Sequence, residues 1–108
     1  MSQTGCQLIY STTSSVEEAT SIGKTLVHER LAACVNILPG MQSIYQWQGQ
    51  TEMAQEAVLL VKTTTDHSRE VIARIETLHS YDCPAVVVLD IATGSLNYLN
   101  WLRDQVEE

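Results

Sequence analysis

LAACVNILPGMQSIYQWQGQTEMAQEAVLLVKT, residues 31–63, decides how this chain is read. Its first part, Leu31 to Leu38, is apolar and reads as a strand interrupted by Pro39-Gly40. Beyond the break MQSIYQWQ alternates, with Ser43, Tyr45 and Trp47 on one face and Ile44, Gln46 and Gln48 on the other. Gly49-Gln50 then reads as a two-residue Gly-X turn of the II′ kind, and the chain returns through TEMAQEAVLLVKT, continuously apolar only from Ala57. Both arms are far longer than the ~5–6 residues of an ordinary strand. The outer half carries Tyr45 and Trp47 among polar residues, and a small sheet has no place for it. A protruding ribbon with open edges predicts pairing with another chain. The alternative is a hairpin folded back over its own helices.

Outward from this hairpin the periodicity changes. Upstream, CQLIYSTT (Cys6 to Thr13) reads as a strand, followed by a capping box, Ser14 with Glu17 or Ser15 with Glu18, that opens a helix. Val16, Ala19, Ile22, Leu26 and Val27 form its apolar stripe. Downstream, Thr65 or Asp66 caps a second helix with Val71, Ile72, Ile75 and Leu78 inward. The loop HSYDCP (His79 to Pro84), the strand AVVVLDIAT and a last helix opened by Ser95, with Leu99, Leu102 and Val106 inward, complete the chain. The order is βαββαβ plus a C-terminal helix. It predicts a single α+β domain over residues 1–108, a ferredoxin-like split βαβ sandwich with an antiparallel sheet and helices on one face.

Composition narrows the function. Six basic against thirteen acidic residues give a net charge of −7, which argues against a nucleic-acid partner. The longest apolar runs, Ala57 to Val61 and Pro84 to Leu89, are too short to span a bilayer, and the N-terminal MSQTGCQLIY has no signal-peptide pattern. The three cysteines, Cys6, Cys34 and Cys83, form neither a disulfide framework nor a CxxC motif, so the expected home is the reducing cytoplasm.

LAACVNILPGMQSIYQWQG, the Glu-bearing return strand ending LLVKTT, the HSYDCP loop and the closing YLNWL together resemble the CutA family, the divalent-cation tolerance proteins. The resemblance runs from about Leu8 to Leu102. It implies a homotrimer of ferredoxin-like subunits in a PII-like assembly, a non-enzymatic role in the response to copper and other divalent cations, and no required cofactor beyond such a metal. His79, Tyr81 and Pro84 match the family's loop, whereas Ser80 and Asp82 stand where the family usually has Pro and Glu. The copper site proposed in the family uses a Cys and two adjacent His; the corresponding positions here are Ser11, Leu78 and His79. That implied site therefore transfers poorly.

Two candidate sites follow. His79 and Asp82 offer imidazole and carboxylate donors for a weak metal site, although a helix-ending turn accounts for the same residues, with His79 near the last helical carbonyls. Cys83, beside Pro84, is expected to pack inward as a small hydrophobe. Glu52, Glu56 and Lys62 share one strand face, so that Tyr45, Trp47, Glu56, Lys62 and Tyr81 form a candidate ligand cleft between subunits. Salt bridges that set trimer register would explain the same charges. The alternative function is a PII-like sensor binding a small ligand in that cleft. Motifs of hydrolases and nucleotide enzymes (GxSxG, HExxH, a P-loop, GxGxxG) do not occur.

Overall fold

Alternation in the central strands settles the architecture. The structure is a computed structural model and describes residues 4–106. Its elements are β1 (Cys6–Thr13), α1 (Val16–His28), β2 (Cys34–Trp47), β3 (Gln50–Thr64), α2 (Ser68–Leu78), β4 (Val86–Asp90) and α3 (Leu96–Val106). The four strands form one sheet in the order β2-β3-β1-β4, with every neighbouring pair antiparallel. Each βαβ half is thus split by a strand of the other half, the ferredoxin-like arrangement expected from the sequence.

Alternate residues of the strands feed two clusters. Ile9, Ala57, Leu59 and Val61 pack under α1 and α2 against Ala19, Ile22, Leu26, Val71 and Ile75. Gly23 lets α1 approach β2 closely, because a Cβ there would lie 2.9 Å from Val35 Cγ1. Cys6 has the opposite parity to Ile9 and joins Ala33, Leu99, Leu102 and Val106 in a second cluster. The crossover helices therefore share one face, and α3 covers one end of the other. Val87, Leu89 and Leu38 lie on the uncovered part of that second face and are about half exposed.

Several local expectations move. Val16 and Val27 are exposed at the margin of the α1 stripe. The N-cap of α2 is His67, not Thr65 or Asp66. The hairpin turn is Gln48-Gly49, with positive φ at both residues (51° and 81°), which is the requirement of a type I′ rather than a II′ turn.

The Pro39-Gly40 break is a β-bulge inside a continuous β2. The register passes from Leu38↔Val58 to Met41↔Glu56, two residues of β2 facing one of β3. Val35 and Ile37 face the helices before it, whereas Ser43, Tyr45 and Trp47 face the other side after it. β1 pairs with β3 only from Ala57 to Thr64, so the outer ribbon, Met41 to Glu56, projects beyond the sheet. The molecule measures 45 × 26 × 22 Å as a result.

Candidate functional site

A chain of hydrogen bonds ties the HSYDCP loop to both halves of the fold. It starts at the cap of α1, where the Glu18 N–H donates to Ser15 Oγ at 3.0 Å. The Glu18 carboxylate then reaches backward and sideways. Its Oε1 accepts from the Ser14 N–H (3.0 Å) and hydroxyl (2.9 Å), and its Oε2 accepts from the Ser80 N–H at 2.7 Å. Burial alone would raise the Glu18 pKa, but the donors from Ser80 and Ser14 outweigh it and hold the acid at about 2. Ser15 with Glu18 is thus the capping pair that forms, and Glu18 doubles as the anchor of a distant loop.

His79 is held as firmly. Its side chain is fully buried, and Nε2 donates to the Thr12 carbonyl of β1 at 2.6 Å. Nδ1 accepts from the Tyr81 N–H at 3.1 Å. These two bonds define the neutral Nε2–H tautomer and occupy both ring nitrogens. His79 is thus the C-cap of α2, the helix-ending position expected from the sequence, and its ring in addition staples the loop to β1.

The loop in turn positions Tyr81. Its O–H donates to Glu56 Oε2 at 2.8 Å, and the Ser43 hydroxyl donates to the other carboxylate oxygen. Burial, reinforced by the Glu56 hydrogen bond and charge, pushes the Tyr81 phenol up to about 12, so it stays protonated. Between this loop and the outer ribbon lies a cavity of about 500 Å³, lined by Tyr45, Trp47, Glu52, Glu56, Tyr81, Asp82 and Cys83. That is within the ordinary volume range of small-molecule sites.

Four of the five sequence-predicted cleft residues, Tyr45, Trp47, Glu56 and Tyr81, thus meet around one cavity. Lys62 does not. Its Nζ lies 3.2 Å from the Tyr98 hydroxyl and over the Tyr98 ring, against α3. Strand parity puts Lys62 on the face of Glu56, but six residues of strand separate them by ~20 Å. Asp82 lines the cavity, and Cys83, expected inward, is exposed beside it. Glu18 and Ser43 are missing from the sequence reading as site residues. For Glu18 the visible signal is the Ser15-x-x-Glu18 spacing, which points to a cap rather than to a loop anchor; for Ser43 it is the alternation that puts it on the face of Tyr45 and Trp47.

Among the described residues no group of three or more His, Cys, Asp or Glu side chains could hold a metal ion. A larger, shallower groove of about 880 Å³ runs along α1 and β2. Its Arg74 is spent on a bidentate pair with Glu29, at 2.9 and 2.8 Å.

The family model described as CutA1 divalent ion tolerance protein matches residues 7–105. The chain belongs to the CutA1 family. It is 50% identical over 98 residues to the divalent-cation tolerance protein CutA of Thermus thermophilus, covering 91% of this chain and 95% of that protein. It is 36% identical to the chloroplastic CutA of Arabidopsis thaliana, covering 90% of this chain but 53% of the plant protein. The solved structure of the periplasmic CutA from Archaeoglobus fulgidus superposes with a TM-score of 0.91 at 38% identity, over 94% of this chain and 99% of that one.

The copper site implied by the CutA1 resemblance does not fit the residues present. Ser11 is fully buried, and its hydroxyl finds no hydrogen-bond partner among the described residues; it is a hard oxygen where a soft thiolate is needed. Leu78 has no donor, and both nitrogens of His79 are taken.

Proposed function

We propose that the chain is a non-catalytic, cytoplasmic homotrimer that serves divalent-cation tolerance, with the cavity beside Tyr81 as its ligand-facing site. The membership of residues 7–105 in the CutA1 family carries this reading. Trimer formation is supported by the projecting ribbon and by the exposed Leu38, Val87 and Leu89 on the open sheet face, which a neighbouring subunit would cover. The cysteines Cys34 and Cys83, neither of them in a disulfide, suit a reducing compartment.

The non-catalytic reading is supported by how the polar groups of the site are engaged. A phenol held at about 12 cannot act as a general base near neutral pH, and a His79 bonded at both nitrogens has no lone pair to offer a substrate. Copper or another divalent ion entering the cavity would meet the carboxylates of Asp82 and Glu52, with His79 holding the loop; hard oxygen donors in such small number bind weakly.

The test is a strain lacking this chain, challenged with copper and zinc and complemented in trans. Growth should fall without the protein and recover with it, and sedimentation of the purified protein should report three times the chain mass. Indifference of the deletion strain to both metals would remove the tolerance reading.

A further inference from the structure

Three consecutive residues of the HSYDCP loop hold three different elements. The His79 ring, fully buried, donates from Nε2 to the Thr12 carbonyl of β1 at 2.6 Å. The Ser80 N–H donates to Glu18 Oε2 of α1 at 2.7 Å. The Tyr81 hydroxyl donates to Glu56 Oε2 of the ribbon at 2.8 Å. Among the described residues, this last bond is the one side-chain hydrogen bond that leads from the ribbon, residues 41–56, to another part of the subunit. The anchors are also fastened to one another. The Tyr81 N–H donates to His79 Nδ1 at 3.1 Å, and the two rings meet with centroids 4.7 Å apart.

Glu18 closes the other end as a two-sided clasp. Its Oε1 accepts from the N–H and hydroxyl of Ser14, at the entry to α1, while its Oε2 accepts from the loop. Donors face this carboxylate from both sides, so both of its oxygens must accept. A glutamine there has a single oxygen. It would keep the Ser14 side or the Ser80 side and turn an NH2 group towards donors on the other. The cap of α1 survives such a change, because it uses the Glu18 backbone N–H and Ser15 Oγ.

We propose that the loop is a relay that couples the N-terminus of α1 to the ribbon. Loosening the Glu18 clasp loosens the ribbon, and a partner that moves the ribbon is felt at α1. The path runs within one chain, through a buried ring and hydrogen bonds of 2.6, 2.7, 2.8 and 3.1 Å. The ribbon is sensitive to it because the β1 ladder stops at Ala57 and the hairpin ladder alone continues outward.

Amide hydrogen exchange on the purified full chain tests this, with all variants compared in one assembly state set by sedimentation. Tyr81→Phe should speed exchange across residues 41–56 by about tenfold, the loss of one charge-assisted bond. Glu18→Gln touches no ribbon residue, yet it should speed the same amides by about threefold. The double variant should exchange there no faster than Tyr81→Phe alone, because the path is already cut. Ile22→Val, a substitution at a buried core position with a comparable general cost, should leave the ribbon rates unchanged. Ribbon exchange that does not respond to Glu18→Gln, that rises as much in Ile22→Val, or in which the two loop effects multiply in full overturns the proposal. The readout needs no metal, so its failure and the failure of the tolerance reading are separate results.

Discussion

The two halves of the β2–β3 hairpin share one ladder and differ in what surrounds it. In the inner half, Val35 and Ile37 pack on the core that contains Ala57, Leu59 and Val61. In the outer half, Met41↔Glu56 through Trp47↔Gln50 pair just as regularly, yet Ile44 and Met53 are 68% exposed and Trp47 61%. A ladder of hydrogen bonds therefore reports pairing, not burial. An isolated two-stranded ribbon is marginal in water, so the outer half depends on other supports. Those visible within the subunit are cross-strand side-chain contacts and the Ser43–Glu56–Tyr81 link back to the loop.

Substitutions can break that contrast. The largest effect belongs to the inner half. Leu59→Ala, at a position with no exposed area, should cost about 3 kcal/mol in denaturant unfolding, from lost transfer energy and the cavity left behind. A cost below about 1 kcal/mol would mean that the inner half is no better packed than the ribbon.

An intermediate effect is expected where the loop is anchored. The folded-state pKa of Glu18 lies well below its ordinary 4.5, so the carboxylate adds stability that is present above that value and drains away as pH falls towards 2. Glu18→Gln should therefore lower stability at neutral pH by about 1 kcal/mol, the part-exposed position screening the rest, and flatten the acid limb of the stability curve. Wild type and variant should converge near the foot of that limb. Parallel curves down to strongly acid pH would show that Glu18 carries no charge-dependent load.

The smallest effect on the subunit is expected at the tip. Trp47→Ala should change the chemical stability of the single subunit by no more than about 0.5 kcal/mol, measured at a concentration low enough to dissociate the proposed trimer. If the chain assembles as proposed, the same substitution should lower the melting temperature of the trimer and sharpen its dependence on protein concentration. If Trp47→Ala instead unfolds the isolated subunit as severely as Leu59→Ala does, the tip belongs to the core and the contrast fails.

How far each feature was legible tracks how local its cause is. Strand and helix order followed from periodicities of two and 3.6 residues, which every segment displays by itself. The turn was placed one residue late because Gly49 suits the second position of a I′ turn as well as the first of a II′ turn; what separates them is positive φ at Gln48, which the residue type does not advertise. Parity gives Lys62 the face of Glu56 but no distance along it, so the ~20 Å between them within one subunit is not legible. His79 is legible as the end of α2 but not as a staple between elements. Its partner is a backbone carbonyl on β1, 67 residues away, and no pattern around HSYDCP encodes that contact. Tyr45, Trp47, Glu56 and Tyr81 were legible as a group because alternation and the hairpin bring the first three together, and the loop that follows α2 delivers the fourth.

The ribbon beyond the bulge also has a property of design. Ile44 and Met53 on it stay exposed and a two-residue turn closes it, so the span of its outer part can change with little disturbance to the core. It can do so only in matched increments: two residues added to each arm would carry the tip outward by ~7 Å with every side chain still facing as before. A single residue gained on one arm would instead show the cavity the wrong side of the strand. Arm length in this architecture is thus an adjustable but quantised variable.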